Sequence, residues 1–295
     1  MTTYIVKENK IYMNRLKNFK EEGYHIEKSL VPISVHKELF FTFYDLAISQ
    51  IQRNKQIQLN FEIKKIEDLN YPNDIKHLDN LLLAILKFDN KLIGEIYDSI
   101  AYCPAFLRLT GNTKIEEISK ELLELKNYNT IYPTIPRILI QTPKDDRRTY
   151  GWHQEIFYNV PNSKFLQSWC PIIRDVTVEN GALGICKKSH KDGLAKQTWD
   201  EPKNRQLQVT VDEDVVNKYE QVKLPMKLGD FLFFDPYFIH RSGYNSTEDE
   251  IRFSLVIMWN DCSHNSWSAP IPEFRDRTIS RKENFDKLMP NKYKA

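Results

Sequence analysis

Residues 228–259 read "LGDFLFFDPYFIHRSGYNSTEDEIRFSLVIMW". An apolar strand, a turn, a second short strand and a polar loop lead into a further strand beginning at Ile251. The same texture extends back to about Pro136, through "RILIQ", "WHQEIFYNV", "KFLQSWCPII", "ALGIC", "LQVTV" and "YEQVKL". Each run has strand length and is bounded by turn-forming or polar residues. Many short strands in succession predict a barrel or a two-sheet jelly roll.

Upstream the periodicity is helical. After Pro32, Ser34 is a candidate cap for a helix carrying Val35, Leu39, Phe40, Phe43, Leu46, Ala47 and Ile51. A second helix is predicted from Asp74 to about Tyr97, and a third starts at the capping box Thr113-Lys114-Ile115-Glu116. Helices first and strands later predict an α+β fold, with the N-terminal helices packed on the outside of one sheet of a jelly roll. The expected organisation is one domain over 1–295: mainly helical support over 1–130, the jelly-roll core over 136–259 and a charged arm over 260–295.

With 42 basic and 40 acidic residues among 295, the formal charge is +2, which gives no footprint for nucleic acid or an anionic membrane. A small-molecule partner is expected, for a monomer or homodimer. Cys103, Cys170, Cys186 and Cys262 are widely spaced, so neither a disulfide framework nor a structural zinc site is indicated. No apolar run approaches the roughly 20 residues of a membrane span, and the first residues lack a signal-peptide core. A cytoplasmic protein is the expectation.

The chemistry-bearing pattern is His153-x-Glu155 in "GWHQEIFYN", residues 151–159. Residues i and i+2 of a strand share a face about 6 to 7 Å apart, so both side chains could reach one metal ion. By itself this pair reads more readily as polar surface. A mononuclear iron site needs two His and one carboxylate with open positions beside them. Of the seven His, His240 stands at a strand end in the stretch quoted first, a natural third ligand. Arg252 follows on the next strand, where it could pair bidentately with a carboxylate.

With those residues in view, the chain resembles the phytanoyl-CoA dioxygenase-type Fe(II)/2-oxoglutarate oxygenases, which have a double-stranded β-helix (cupin-like jelly roll). The resemblance covers about residues 136–259 and is weaker upstream. "WHQE" resembles the family's Trp-His-Gln-Asp ligand motif, and "ENGALGICKKSH" its Asn-Gly turn leading to Pro-Gly-Ser-His. "LGDFLFFDPYFIHRSGYNS" resembles the Gly-Asp strand with the distal His, and "IRFSL" the strand bearing the Arg. The resemblance implies that His153, Glu155 and His240 bind Fe(II), with 2-oxoglutarate and O2 as cosubstrates. It further implies that Arg252 and Ser242 hold the distal carboxylate of 2-oxoglutarate, with Trp169 and Gln141 beside it.

Two features depart from the family pattern. Glu155 is one methylene longer than the usual Asp, so the metal must sit farther out or the backbone must adjust. "CKKSH" lacks the Pro-Gly. The carboxylate at 155 speaks against a halogenase, since related halogenases leave that coordination position to halide. Candidate substrate contacts are Ile156, Phe157, Tyr158, His264 and Trp267, with Arg148 of the "KDDRR" cluster as a mouth contact for an anion. The implied reaction is hydroxylation of an unactivated C–H bond in specialised biosynthesis. The alternatives are a non-catalytic jelly-roll sensor, or desaturation, cyclisation or epimerisation at the same site.

Overall fold

The computed structural model describes residues 14–146, 149–157, 164–200 and 208–267. Among them the element order is β1 (Tyr24–Glu27), α1 (Ile33–Arg53), α2 (Ile75–Phe88), α3 (Asn90–Ile100), α4 (Pro104–Thr110), α5 (Thr113–Leu122), β2 (Ile131–Gln141), β3 (Phe165–Pro171), β4 (Leu183–Cys186), β5 (Gln197–Asp200), β6 (Gln208–Val211), α6 (Glu213–Val216), β7 (Gln221–Leu224), β8 (Phe231–Phe234), β9 (His240–Arg241) and β10 (Arg252–Asp261). The major sheet has strand order β1-β8-β3-β10-β2; a smaller sheet runs β7-β4-β9, and β5 pairs with β6. Every pairing is antiparallel. This is the expected α+β jelly roll. No described helix is long and apolar enough to cross a membrane.

Both faces of the major sheet are covered, which explains the near-continuous apolar runs of its strands. On one face Ile138, Ile140, Leu166, Phe231, Phe233, Phe253 and Leu255 join the helical residues Leu39, Phe40, Phe43 and Leu82 in one core. The rings of Phe43 and Phe253 lie 5.2 Å apart across that junction. On the other face Trp169, Leu232 and Phe234 pack with Leu183 and Ile185 of the small sheet. The functional cavity opens within this second layer.

Several local expectations are corrected. α1 begins at Ile33 behind Pro32, which makes no side-chain cap, so Ser34 lies inside the first turn. The segment 74–97 is two helices: the Asp89 side chain accepts from the Lys91 N–H, capping α3 and ending α2. Asn112 rather than Thr113 caps α5, accepting from Lys114 and Ile115, while Glu116 pairs with Lys120. The mostly helical N-terminal part also contributes β1, a strand too short to show a pattern.

"WHQEIFYNV" is not a strand over its described residues. His153 makes an isolated bridge to His240, and a 3-10 turn follows at Glu155–Phe157. The facing turn explains the break. Its Tyr237 N–H is taken by the Asp235 carboxylate and its Phe238 N–H by the Asp235 carbonyl, and Pro236 has no N–H to offer.

Within α1, His36 is fully buried and its ring nitrogens lack hydrogen-bond partners of good geometry. Burial holds its pKa down at about 4, with only a weak opposing pull from the Val31 carbonyl. A depressed histidine confers stability above its unfolded pKa that is lost as pH falls through the folded one, here from 6.5 towards 4. The full effect is about 3 kcal/mol. Urea unfolding of His36→Leu should shift in the variant's favour relative to wild type by up to that amount between pH 7 and pH 4. A difference independent of pH would contradict this.

Candidate metal centre

The backbone brings His153 and His240 together before any side chain acts. His153 N–H donates to the His240 carbonyl at 2.9 Å and His240 N–H to the His153 carbonyl at 3.1 Å. Opposite residues of such a pair project on the same side, and the two imidazole centroids are 4.2 Å apart. Glu155 then turns out of register, its N–H donating to the Pro236 carbonyl at 3.1 Å. This local turn accommodates the longer side chain: Glu155 Oε1 stands 3.3 Å from His153 Nε2 and 3.4 Å from His240 Nε2.

The protonation states suit a cation. His153 Nδ1 lies 2.7 Å from the Gly151 carbonyl and His240 Nδ1 lies 3.0 Å from the Phe238 carbonyl. A carbonyl only accepts, so each Nδ1 carries a proton and donates it, which turns Nε2 toward Glu155. Burial, and next the charge of His153, push the His240 pKa down. Burial works to raise Glu155, but with the two imidazoles protonated on both nitrogens their hydrogen bonds and charge outweigh it and hold the carboxyl at about 2; a cation among the three groups would take the place of the Nε2 protons. An ionised carboxylate and a neutral imidazole are the ligand forms of these groups. His153, Glu155 and His240 are all buried, and one donor atom from each lies within 4.8 Å of the others, so a single ion can be held by all three.

Gln154, between the ligands, points the opposite way and is fully buried. Its Nε2 donates to the carbonyls of Gly193 (2.9 Å) and Tyr237 (2.6 Å), and its Oε1 accepts from Ala195 N–H (2.9 Å) and Gln197 Nε2 (2.8 Å). Ser189 supports the other ligand strand, its Oγ accepting from the Ile239 N–H at 2.8 Å. Although "CKKSH" lacks glycine, Lys188 adopts φ 59° there, so the left-handed turn is kept at the expense of strain. Lys188→Gly should therefore raise stability by about 1 kcal/mol in urea unfolding. Unchanged or lower stability would show the turn to be unstrained.

The triad faces a cavity of about 260 Å³ between the sheets, lined also by Trp169, Ser242 and Arg252. Arg252 is 2% exposed. It donates from Nη1 to the Gly181 carbonyl, its Nε has no partner, and no described carboxylate is within ion-pair distance. Burial alone pulls its pKa down to about 10. The fit is tight: a Cβ on Gly181 (φ +107°) would stand 3.2 Å from Arg252 Nη1 and 2.9 Å from the Gly243 carbonyl.

Not every candidate reaches this cavity. Gln141 is the cross-strand neighbour of Arg252, but its Nε2 donates to the Gly243 carbonyl at 3.0 Å, behind the wall. Ile156 and His264 line a separate cleft with Lys20 and Tyr237, and Trp267 lies against Tyr132 with centroids 5.1 Å apart. Phe157 ends the 3-10 turn; Arg148 and Tyr158 lie outside the described residues. The cavity instead includes Arg137, Leu139, Tyr150, Gln167, Phe234, Val256 and Met258, none of which the sequence reading picked out as a contact. Strand alternation from Arg252 would have placed Val256 and Met258 on its face.

A family model for phytanoyl-CoA dioxygenase matches residues 19–254. Among solved structures, the epimerase SnoN in complex with Fe3+, alpha ketoglutarate and nogalamycin RO is similar over 90% of this chain and 91% of that one, with 16% identity and a TM-score of 0.57. EctD from S. alaskensis with bound Fe is similar over 88% and 82%, with 15% identity and a TM-score of 0.53. AviO1 from Streptomyces viridochromogenes Tue57 is similar over 88% and 98%, with 15% identity and a TM-score of 0.50. At these identities the structures establish a shared fold.

Proposed function

The chain belongs to the phytanoyl-CoA dioxygenase family, and on that premise we propose that it is an Fe(II)/2-oxoglutarate-dependent oxygenase that hydroxylates an unactivated C–H bond of a small molecule in specialised biosynthesis. The observation that carries this reading is the pairing of two kinds of binding group in one cavity. Two imidazole Nε2 atoms and a carboxylate oxygen converge to within 4.8 Å of one another, and a buried guanidinium with no carboxylate partner among the described residues lines the same cavity. A divalent metal answers the first and a dicarboxylic acid the second.

Iron and 2-oxoglutarate, when bound, would activate O2, one oxygen atom going into succinate as the cosubstrate loses carbon dioxide and the other into the substrate C–H bond. The chain's own residues position and protect. His153, Glu155 and His240 would hold the metal, and the cavity beside them would receive the cosubstrate and substrate. Arg252, with Ser242 beside it, takes the distal carboxylate of the cosubstrate in a setting from which bulk water is excluded, where a charge-assisted bond is strong. Trp169 walls the cosubstrate and Phe234 stands edge-on to His240 with centroids 4.6 Å apart, keeping that ring dry.

The test is a substrate screen scored by succinate release, followed by product mass. Succinate formed together with a product one oxygen heavier supports the proposal. Succinate with a product of unchanged mass, or one lighter by two hydrogens, would assign epimerisation, or desaturation or cyclisation, to the same site.

A further inference from the structure

The cavity has a second polar end. Along the inner face of β10 stand Arg252, then Val256, then Met258; across the ladders Val256 pairs with Arg137 on β2 and Met258 with Gln167 on β3. Four residues of strand separate the Arg252 level from the Arg137 level, about 13 Å. A cosubstrate that runs from Arg252 to the metal leaves Arg137 unengaged. Arg137 is exposed at the cavity mouth, and its side chain has no ion pair or hydrogen bond among the described residues.

Gln167 supplies an independent observation. It is 3% exposed, it lines the same cavity, and its amide oxygen has no hydrogen-bond partner. An orphaned amide in a native interior marks a group that is satisfied by something else. Tyr150 links this end to the metal: its ring lies 5.7 Å from His153, and it is close enough to Arg137 and Glu155 to feel the charge of both. Between the polar ends the wall is apolar, made by Leu139, Val256 and Met258.

We infer that the primary substrate is an amphiphilic anion whose carboxylate or phosphate ester docks on Arg137, with a neighbouring N–H or O–H offered to Gln167 and an apolar body lying along Leu139, Val256 and Met258. The inference rests on the oxygenase reading above. Arg137 sets which end of the molecule enters last and therefore which carbon lies at the metal. An exposed cation at the mouth also draws an anion in from solution.

The test uses the full-length protein loaded anaerobically with Fe(II) and 2-oxoglutarate. The complex is titrated with 4-phenylbutyrate, its neutral amide, and hexyl phosphate while the visible charge-transfer band is followed. At least one anion should shift the band saturably and about tenfold or more tightly than the amide. Arg137→Gln should reduce that preference to about twofold, Arg137→Lys should keep part of it, and neither should change the 2-oxoglutarate titration. Whichever anion binds more tightly distinguishes a carboxylate from a phosphate ester. Equal binding of acid and amide, no response to either anion, or an undiminished preference in Arg137→Gln overturns the inference. So does an anion that erases the band by displacing 2-oxoglutarate, or an Arg137→Gln protein that loses 2-oxoglutarate affinity. Failure of the band to form at all would instead overturn the oxygenase reading.

Discussion

Arg252→Met should bind 2-oxoglutarate about 100-fold more weakly than wild type and yet, without cosubstrate, unfold at a higher urea concentration. The two effects have one cause. Arg252 is a cation held 2% exposed with a single backbone acceptor, and burial has already pulled its pKa to about 10. A shift of that size is a penalty of about 3 kcal/mol on the charged form. The cosubstrate's carboxylate offsets it on binding, and loss of one partner from such a buried charge pair is worth about 2–5 kcal/mol. In the free protein an apolar chain of similar length has no charge to desolvate. Losing the bond to Gly181 subtracts about 1 kcal/mol, leaving a net gain of about 1–2 kcal/mol. Isothermal titration and urea unfolding measure the two sides. A variant that is destabilised, or that keeps its affinity, would show that Arg252 is a structural residue.

Gln154→Leu should lower both stability and iron affinity. The replacement is close in volume but breaks four hydrogen bonds at once, leaving the Gly193 and Tyr237 carbonyls and the Ala195 N–H unpaired. The orphaned groups are partly buried, so each costs towards the lower end of about 1–3 kcal/mol, and a loss of about 3 kcal/mol is expected in urea unfolding. Because Gln154 sits between two ligands, iron affinity should also fall about 10- to 100-fold, as for other residues that orient metal ligands. Gln154→Glu separates the roles: it can still accept from Ala195 but, ionised, cannot donate to either carbonyl. Iron affinity equal to wild type in Gln154→Leu would refute the orienting role.

The fold was legible where a strand is covered on both sides. "FLFF" and "RFSLVIMW" read as strands because helices bury one face and the small sheet the other. The ligand set was legible for a different reason: the i, i+2 pair alone read as polar surface, and it became a ligand set through the strand-end His240 and the resemblance of the ordered motifs around both to the family's pattern. The conformation around Glu155 was not legible, since the strand break is enforced by hydrogen bonds within the distant turn at Asp235. Arg137 and Gln167 were hidden by the opposite effect. A polar residue in an alternating strand reads as solvent-facing, and only the position of the second sheet shows that their face closes a cavity. The break at Asp89 was written as a single capping side chain inside an otherwise continuous apolar stripe.

The claim on which the rest depends is that His153, Glu155 and His240 hold one Fe(II) beside 2-oxoglutarate. Anaerobic titration of the protein with Fe(II) in the presence of 2-oxoglutarate, followed by visible absorption, tests it directly. The account predicts a charge-transfer band that saturates at one iron per chain and is absent in His240→Ala, with Arg252→Met requiring far more 2-oxoglutarate to reach it. No band in the wild type, or a band that persists in His240→Ala, would contradict it.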